Sequence, residues 1–181
     1  ETMEIWERDE VLADAVWTIR KFRPDVIVTR FSPYRGGQTH GHHTTSAILA
    51  GEAFDLAGDP NVFPEQLKLV DTWQPKRIFW NAYNFGGEFK EDSSEVYDVF
   101  PTGDFNPLLG ESYSQIAADS RTMHKSQGFG ATAGIGNAVD HIQFLKGDPF
   151  QKSAFEGVVD RWTEIDGGKE ILFLINPPYA R

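Results

Sequence analysis

Cysteine is absent from the 181 residues. That excludes disulfides, thiolate metal sites and a cysteine nucleophile. Long apolar runs are missing too: no stretch nears the ~18 residues that a membrane-spanning helix requires. Basic residues are few, with 17 Lys and Arg against 27 Asp and Glu, for a formal net charge of −10. A surface for polyanions needs clustered basic side chains, and here they are scattered, so nucleic acid is not an expected partner. There is no internal repeat and no low-complexity tract. The opening residues Glu1-Thr2-Met3-Glu4 lack the charged-then-apolar pattern of a secretory signal. They read as the interior of a longer chain. Composition leaves the compartment and the oligomeric state open.

What is present suffices for one globular core. Hydrophobic residues make up 40% and charged residues 24%, the balance of an ordinary soluble domain. Five Trp and 14 Phe fit an aromatic core and also fit a sugar-stacking cleft.

Periodicity organises the chain. From Glu4 to Phe22, apolar residues Val11, Leu12, Ala15, Val16, Ile19 and Phe22 recur at helical spacing. Arg23-Pro24 ends that helix. Asp25 to Thr29 is a short β-branched run, of the type buried on both faces of a parallel sheet. An irregular loop with Pro33, Gly36 and Gly37 follows. His40-Gly41-His42-His43 then opens a small-residue helix reaching about Ala57. Lys76 to Asn81 reads as a second strand. Tyr83 to Gly110 reads as a long excursion with little regular structure. Ser112 and Gln115 have capping-box spacing and start a helix running to about Gln127. His141 to Leu145 is strand-like, as is the apolar run Ile171 to Ile175. Helix, strand, loop and helix in this order predict an α/β layer fold, with its site in loops beyond the carboxyl ends of strands. The histidine-rich loop occupies such a position.

Three of the five histidines fall within four residues. His40 and His43 stand at i, i+3 and can face one point, whereas His42 is expected to point elsewhere. Neutral imidazole is the commonest metal ligand, and zinc suits it. An exposed helix start with no metal role explains the same pattern. One loop cannot supply the three protein ligands of a catalytic zinc, so further ligands must come from elsewhere in the fold. His124 is expected on the apolar side of its helix with Ile116, Ala117 and Ser120, as a core residue or a pocket residue. His141 is expected to be structural or exposed. Tyr34, Trp80, Tyr83 and Phe85 are possible stacking surfaces, with core packing the expected role of Trp80.

Residues Arg23 to Thr29, the loop through Thr39-His40-Gly41-His42-His43, and the small-residue helix ending at Ala57-Gly58 together resemble the second zinc motif of the LmbE-like (PIG-L) deacetylases. Ser120 to Gln127 resembles that family's later His-x-Ser-Gln element, and Gly128-Phe129-Gly130 is similar to large multidomain bacterial members. The resemblance covers about Ile5 to Gly147. It implies a Rossmann-like three-layer α/β sandwich with a mostly parallel sheet, zinc as cofactor, and removal of an acetyl group from N-acetylglucosamine-type sugars or glycoconjugates. It places His43 as a zinc ligand, His40 as a catalytic donor to the intermediate or leaving group, and His124 as a catalytic pocket residue. The family pattern is His-Pro-Asp-His; here His42 stands where the Asp usually is, which bears on how the ligand is oriented.

The family's first motif, Ala-His-Pro-Asp-Asp-Glu, has no counterpart in the chain. The expectation is therefore the later portion of the catalytic domain over residues 1–147, without its first strand or strands, and a further segment over 148–181. Alone it is expected to be inactive. The alternative reading is a non-catalytic carbohydrate- or metal-binding domain on a degenerate deacetylase fold.

Overall fold

A computed structural model describes residues 1–34, 39–83, 89–127, 130, 132–134 and 136–158. In chain order the elements are α1 (Thr2–Ile5), α2 (Arg8–Phe22), β1 (Val26–Thr29), α3 (Gly41–Leu56), β2 (Arg77–Ala82), β3 (Tyr97–Phe100), β4 (Phe105–Asn106), β5 (Glu111–Ser112), α4 (Tyr113–Thr122) and β6 (Asp140–Gly147). Single 3-10 turns lie at Pro64–Lys68 and Lys125–Gln127. The chain forms two compact units. One comprises Glu1–Phe100 with Asp140–Glu156, and the other is built on Pro101–Val139.

The first unit is a mixed sheet of order β1-β2-β6-β3. β1 and β2 run parallel, with Ile27 opposite Ile78 and Thr29 opposite Trp80. β6 is antiparallel to both its neighbours, β2 and β3. The expected mostly parallel sheet is thus met in one pairing of three, because β6 returns from the long excursion in the opposite sense. That excursion also carries a sheet strand of its own, β3.

Strand alternation divides the core into two clusters. On one side Ile27 packs with Leu12, Val16 and Ile19 of α2 and with Leu49 and Ala53 of α3. On the other side Phe79 and Ile142 meet Ala154, with Val26, Phe100, Phe144 and Phe150 around them. Among the described residues this second face is covered by the segment Asp148 to Glu156 and not by a helix layer. Among the described residues β1 ends the strand order and Val28 is 47% exposed, so the expected burial on both faces is not seen there. The N-terminal helix is split, because Glu7 adopts a left-handed conformation at φ 53° between α1 and α2. That break lets Trp6 pack against the α2–α3 cluster.

Two buried arginines lock the end of the sheet where β1 and β2 begin. Arg20 donates to the carbonyls of Ala57, Asp59, Val62 and Phe63 at 2.7–3.3 Å and to Gln66 Oε1 at 3.1 Å. Arg77 donates to the carbonyls of Asp148, Pro149, Ala154 and Glu156 at 2.6–3.3 Å. Each guanidinium spreads its donors over the carbonyls of a loop that closes this end of the sheet. Gly147 completes this end: at φ +117°, a Cβ there would stand 2.1 Å from the Lys76 carbonyl oxygen.

In the second unit β4 and β5 form a short hairpin, and Ser112 Oγ caps α4 by accepting from the Gln115 N–H at 3.2 Å, the predicted start. The helix stops earlier than predicted, at Thr122. The Met123 and His124 N–H groups bond back only three residues, to Ser120 and Arg121, and tighten the last turn out of the α-helix. Ile171 to Ile175 and Phe85 lie outside the described residues. No helix among the described residues is long and apolar enough to cross a membrane.

Candidate functional site

The carboxyl end of β1 delivers the chain to the histidine loop. Thr29 Oγ1 lies 3.0 Å from the Phe31 carbonyl oxygen and 3.2 Å from that of Phe79, which ties the turn to β2. The Tyr34 N–H donates to Ser32 Oγ at 3.1 Å. The Phe31 ring then lies flat on the His43 imidazole, with centroids 3.8 Å apart and planes 4° from parallel.

His40 is the N-cap residue of α3. Its backbone is extended, and its carbonyl accepts the His43 and Thr44 N–H groups at 3.0 and 3.3 Å. A Cβ on Gly41 would approach Thr2 Oγ1 to 2.8 Å, so a larger residue there would require the Thr2 side chain to turn away. One helical turn brings His43 back beneath the cap. Its ring centroid is 5.4 Å from that of His40. His42 does not point elsewhere, as the spacing predicted. Its ring stacks parallel to His40 at 5.6 Å and meets His43 edge-on at 4.1 Å. Extended backbone at the cap swings the His40 side chain over the first turn, and all three imidazoles gather.

His43 is the most enclosed of the three, whereas His40 and His42 are exposed. Thr39 Oγ1 is 2.7 Å from His43 Nδ1. With the hydroxyl accepting from Nδ1–H, the Nε2 lone pair is free for a ligand. Burial pushes the His43 pKa below its ordinary value, and the neighbouring His42 and His40 push it the same way. A neutral imidazole with one nitrogen oriented by a hydroxyl has the chemistry of a metal ligand. The match to zinc is nevertheless partial. Among the described residues no group of three His, Cys, Asp or Glu side chains is arranged to hold a metal ion.

A second arrangement adjoins the first. Arg30, one residue beyond β1, lays its guanidinium over the Tyr83 ring at 3.7 Å and donates to Asn81 Oδ1. Burial raises the Tyr83 pKa, and Arg30 pulls it partly back. Tyr83 therefore serves as a platform for Arg30; Trp80, only 4% exposed, is core as expected, and Tyr34 is 73% exposed.

The other predicted residues lie elsewhere. His124 belongs to the second unit and is exposed just past the end of α4, off the apolar side predicted for it. His141 in β6 faces Glu91, with Nε2 and Oε1 3.4 Å apart. The sequence reading missed Phe31, Thr39 and the Arg30 arrangement. Only Thr39 carried a readable signal, a hydroxyl four residues before a histidine at a helix start.

No family model matches the chain. It is 35% identical over 72 residues to the 1D-myo-inositol 2-acetamido-2-deoxy-alpha-D-glucopyranoside deacetylase of Geodermatophilus obscurus, a match covering 40% of this chain and 23% of that protein. Over 74 residues it is 35% identical to the corresponding deacetylase 1 of Catenulispora acidiphila, covering 41% of this chain and 21% of the relative. Over 73 residues it is 36% identical to the Streptomyces scabiei deacetylase, covering 40% and 21%. The chain thus spans less than a quarter of the length of these curated relatives.

Proposed function

We propose that the chain contributes the His40–His43 face of a zinc-dependent hydrolase of the LmbE-like class, which removes the acetyl group from an N-acetylglucosamine-type sugar or glycoconjugate. The observation that carries this reading is the neutral, hydroxyl-oriented His43 at the start of α3, beside two further imidazoles and beyond the carboxyl end of a strand. The limited but repeated similarity to N-acetylglucosaminide deacetylases supports it. So does the α/β layering, which we read as part of a Rossmann-like sandwich.

Amide hydrolysis requires an activated water, a stabilised oxyanion and a protonated leaving amine. His43 would hold zinc through Nε2, with the remaining ligands coming from outside the described residues. Bound there, zinc supplies a water of lowered pKa and a Lewis acid for the amide oxygen. The chain's own residues do the rest. Thr39 orients the His43 ring through Nδ1, leaving Nε2 for a ligand when the hydroxyl accepts, and the Phe31 ring keeps water from one face of the imidazole. His40, exposed and anchored by its place at the cap, donates a hydrogen bond to the developing oxyanion or a proton to the amine. A donor so placed contributes on the order of 3 kcal/mol to the barrier. His124 is carried over as a catalytic residue on the resemblance alone.

Zinc titration of this chain by calorimetry tests the ligand set. Weak binding that disappears in His43→Ala is expected. Tight one-to-one binding would mean that the set is complete here, and would overturn the assignment of His43 as one ligand among others supplied elsewhere. Turnover is tested in the intact protein, where His43→Ala should lose both zinc and acetate release; unchanged release would reject the reading.

One observation favours a second reading, a sugar-binding domain without turnover. His42 stands where the family usually has Asp, and its ring presses on His43 from 4.1 Å. Saturable sugar binding with no acetate release from the zinc-loaded intact protein would establish it.

A further inference from the structure

The site contains a cation held in place by neutral neighbours. Arg30 is exposed, yet its guanidinium is fixed on both counts that matter: one face on the Tyr83 ring at 3.7 Å, and one N–H on Asn81 Oδ1. Among the described residues no carboxylate lies within ion-pair distance of it. Other cations of the same unit contrast with it. Arg8 pairs with Glu52 and Asp9, Lys146 with Asp55, and Arg20 and Arg77 spend their donors on buried carbonyls. Arg23, stacked on Trp73 at 4.6 Å, likewise has no carboxylate in ion-pair distance among the described residues, but Arg30 differs in also donating to a side-chain amide oxygen at the carboxyl end of a neighbouring strand.

Its position matters as much as its charge. Arg30 follows β1, while Asn81 and Tyr83 lie at the end of β2, the parallel neighbour. All three are therefore at the carboxyl ends of adjacent strands, where α/β folds bind ligands. The residue after Arg30 is Phe31, whose ring lies on His43. A planar guanidinium presents parallel N–H pairs that match carboxylate and phosphate oxygens, and stacking removes the entropy cost of ordering it.

We propose that Arg30, held by Tyr83 and Asn81, is an anion subsite that selects substrates carrying a phosphate or carboxylate group beside the acetamido sugar. This rests on the deacetylase reading for the sugar, but the anion site itself stands on Arg30 alone. A tie between β1 and β2 is not enough to account for Arg30, since backbone pairing over Val26 to Thr29 already joins those strands.

The test is a titration of the protein with inorganic phosphate and then acetate, following the Phe31 and Asn81 backbone amides and the Asn81 side-chain amide by NMR, with Arg30→Gln and Arg30→Lys in parallel. Saturable binding is expected, weakened roughly tenfold in Arg30→Gln and less in Arg30→Lys, with equal thermal melts confirming that all three fold. Equal affinities in the wild type and Arg30→Gln, or no saturable binding, overturn the proposal. N-acetylglucosamine 1-phosphate, N-acetylmuramic acid and N-acetylglucosamine then separate the sources. A phosphate subsite favours the first and a carboxylate subsite the second. Equal binding of all three overturns the selection. Acetate release by the intact protein separates the two readings. Arg30-dependent anion binding without release leaves the subsite standing and rejects the deacetylase. Release with the same KM for anionic and neutral sugars, in wild type and Arg30→Gln alike, does the reverse.

Discussion

The two ends of the β1–β2 pair use arginine in opposite ways. Where the strands begin, Arg20 and Arg77 are 1% and 4% exposed, and their donors go to backbone carbonyls and, from Arg20, to the Gln66 side chain. Where the strands end, Arg30 is exposed and rests on a phenol ring and an amide oxygen. The first arrangement stabilises: it resolves the hydrogen-bonding needs of loops that close the core. The second leaves donor capacity facing out, one residue before the Phe31 ring that lies on His43. One residue type thus stands at both ends of the same strand pair, and its partners tell the two apart.

The largest expected effect lies at the closed end. Arg77→Ala strands four carbonyl oxygens and should cost about 3–5 kcal/mol in chemical denaturation. The proton NMR titration of His43 should stay as it is. A cost below 1 kcal/mol would erase the contrast between the ends. Gly147→Ala should follow at about 2–3 kcal/mol, because the positive φ and the Lys76 carbonyl leave no room for a methyl group. Denaturation midpoints at unchanged slope would check it.

At the open end the stability effects shrink. Arg30→Gln should change unfolding free energy by less than about 1 kcal/mol, since the group is exposed and unpaired by charge. A loss as large as that of Arg77→Ala would make Arg30 a structural arginine after all.

The smallest effect concerns pH. His43 has a lowered pKa in the folded state, so both states are neutral above about 6.5 and the stabilisation is complete there. As pH falls below that value the unfolded chain takes up a proton that the folded chain resists. Stability is then lost until the folded pKa is passed. The Tm should therefore decline with acidification, and less steeply in His43→Gln. His42→Gln should raise the His43 titration midpoint, because one repelling neighbour is gone. A midpoint that fails to move would show that burial by Phe31 alone sets it.

How much of this was legible follows from the range of the interactions. α3 was readable because its cap, its small-residue face and its proline-bounded exit are local. The Ser112 cap of α4 was readable for the same reason. β1 was found as a strand, but its burial was not legible, since strands with one and with two neighbours share the same β-branched run. β3 was missed because Tyr97 to Phe100 sits among Asp, Ser and Glu residues, and pairing with β6 over more than 40 residues of sequence separation made it a strand. His42 was misplaced because helical spacing ignores the extended backbone at the cap.

Composition and short-range pattern alone settled the α/β character, the absence of thiol chemistry, and the presence of a histidine loop after a strand. They did so because propensity, capping and periodicity act within a few residues. Tertiary packing lowered the His43 pKa, with Phe31 laid on its ring. It also decided that Arg20 and Arg77 are buried while Arg30 is displayed. Burial and hydrogen-bond partners arise from segments tens of residues apart, and the chemical character of a titratable or charged group depends on those partners more than on its neighbours in sequence.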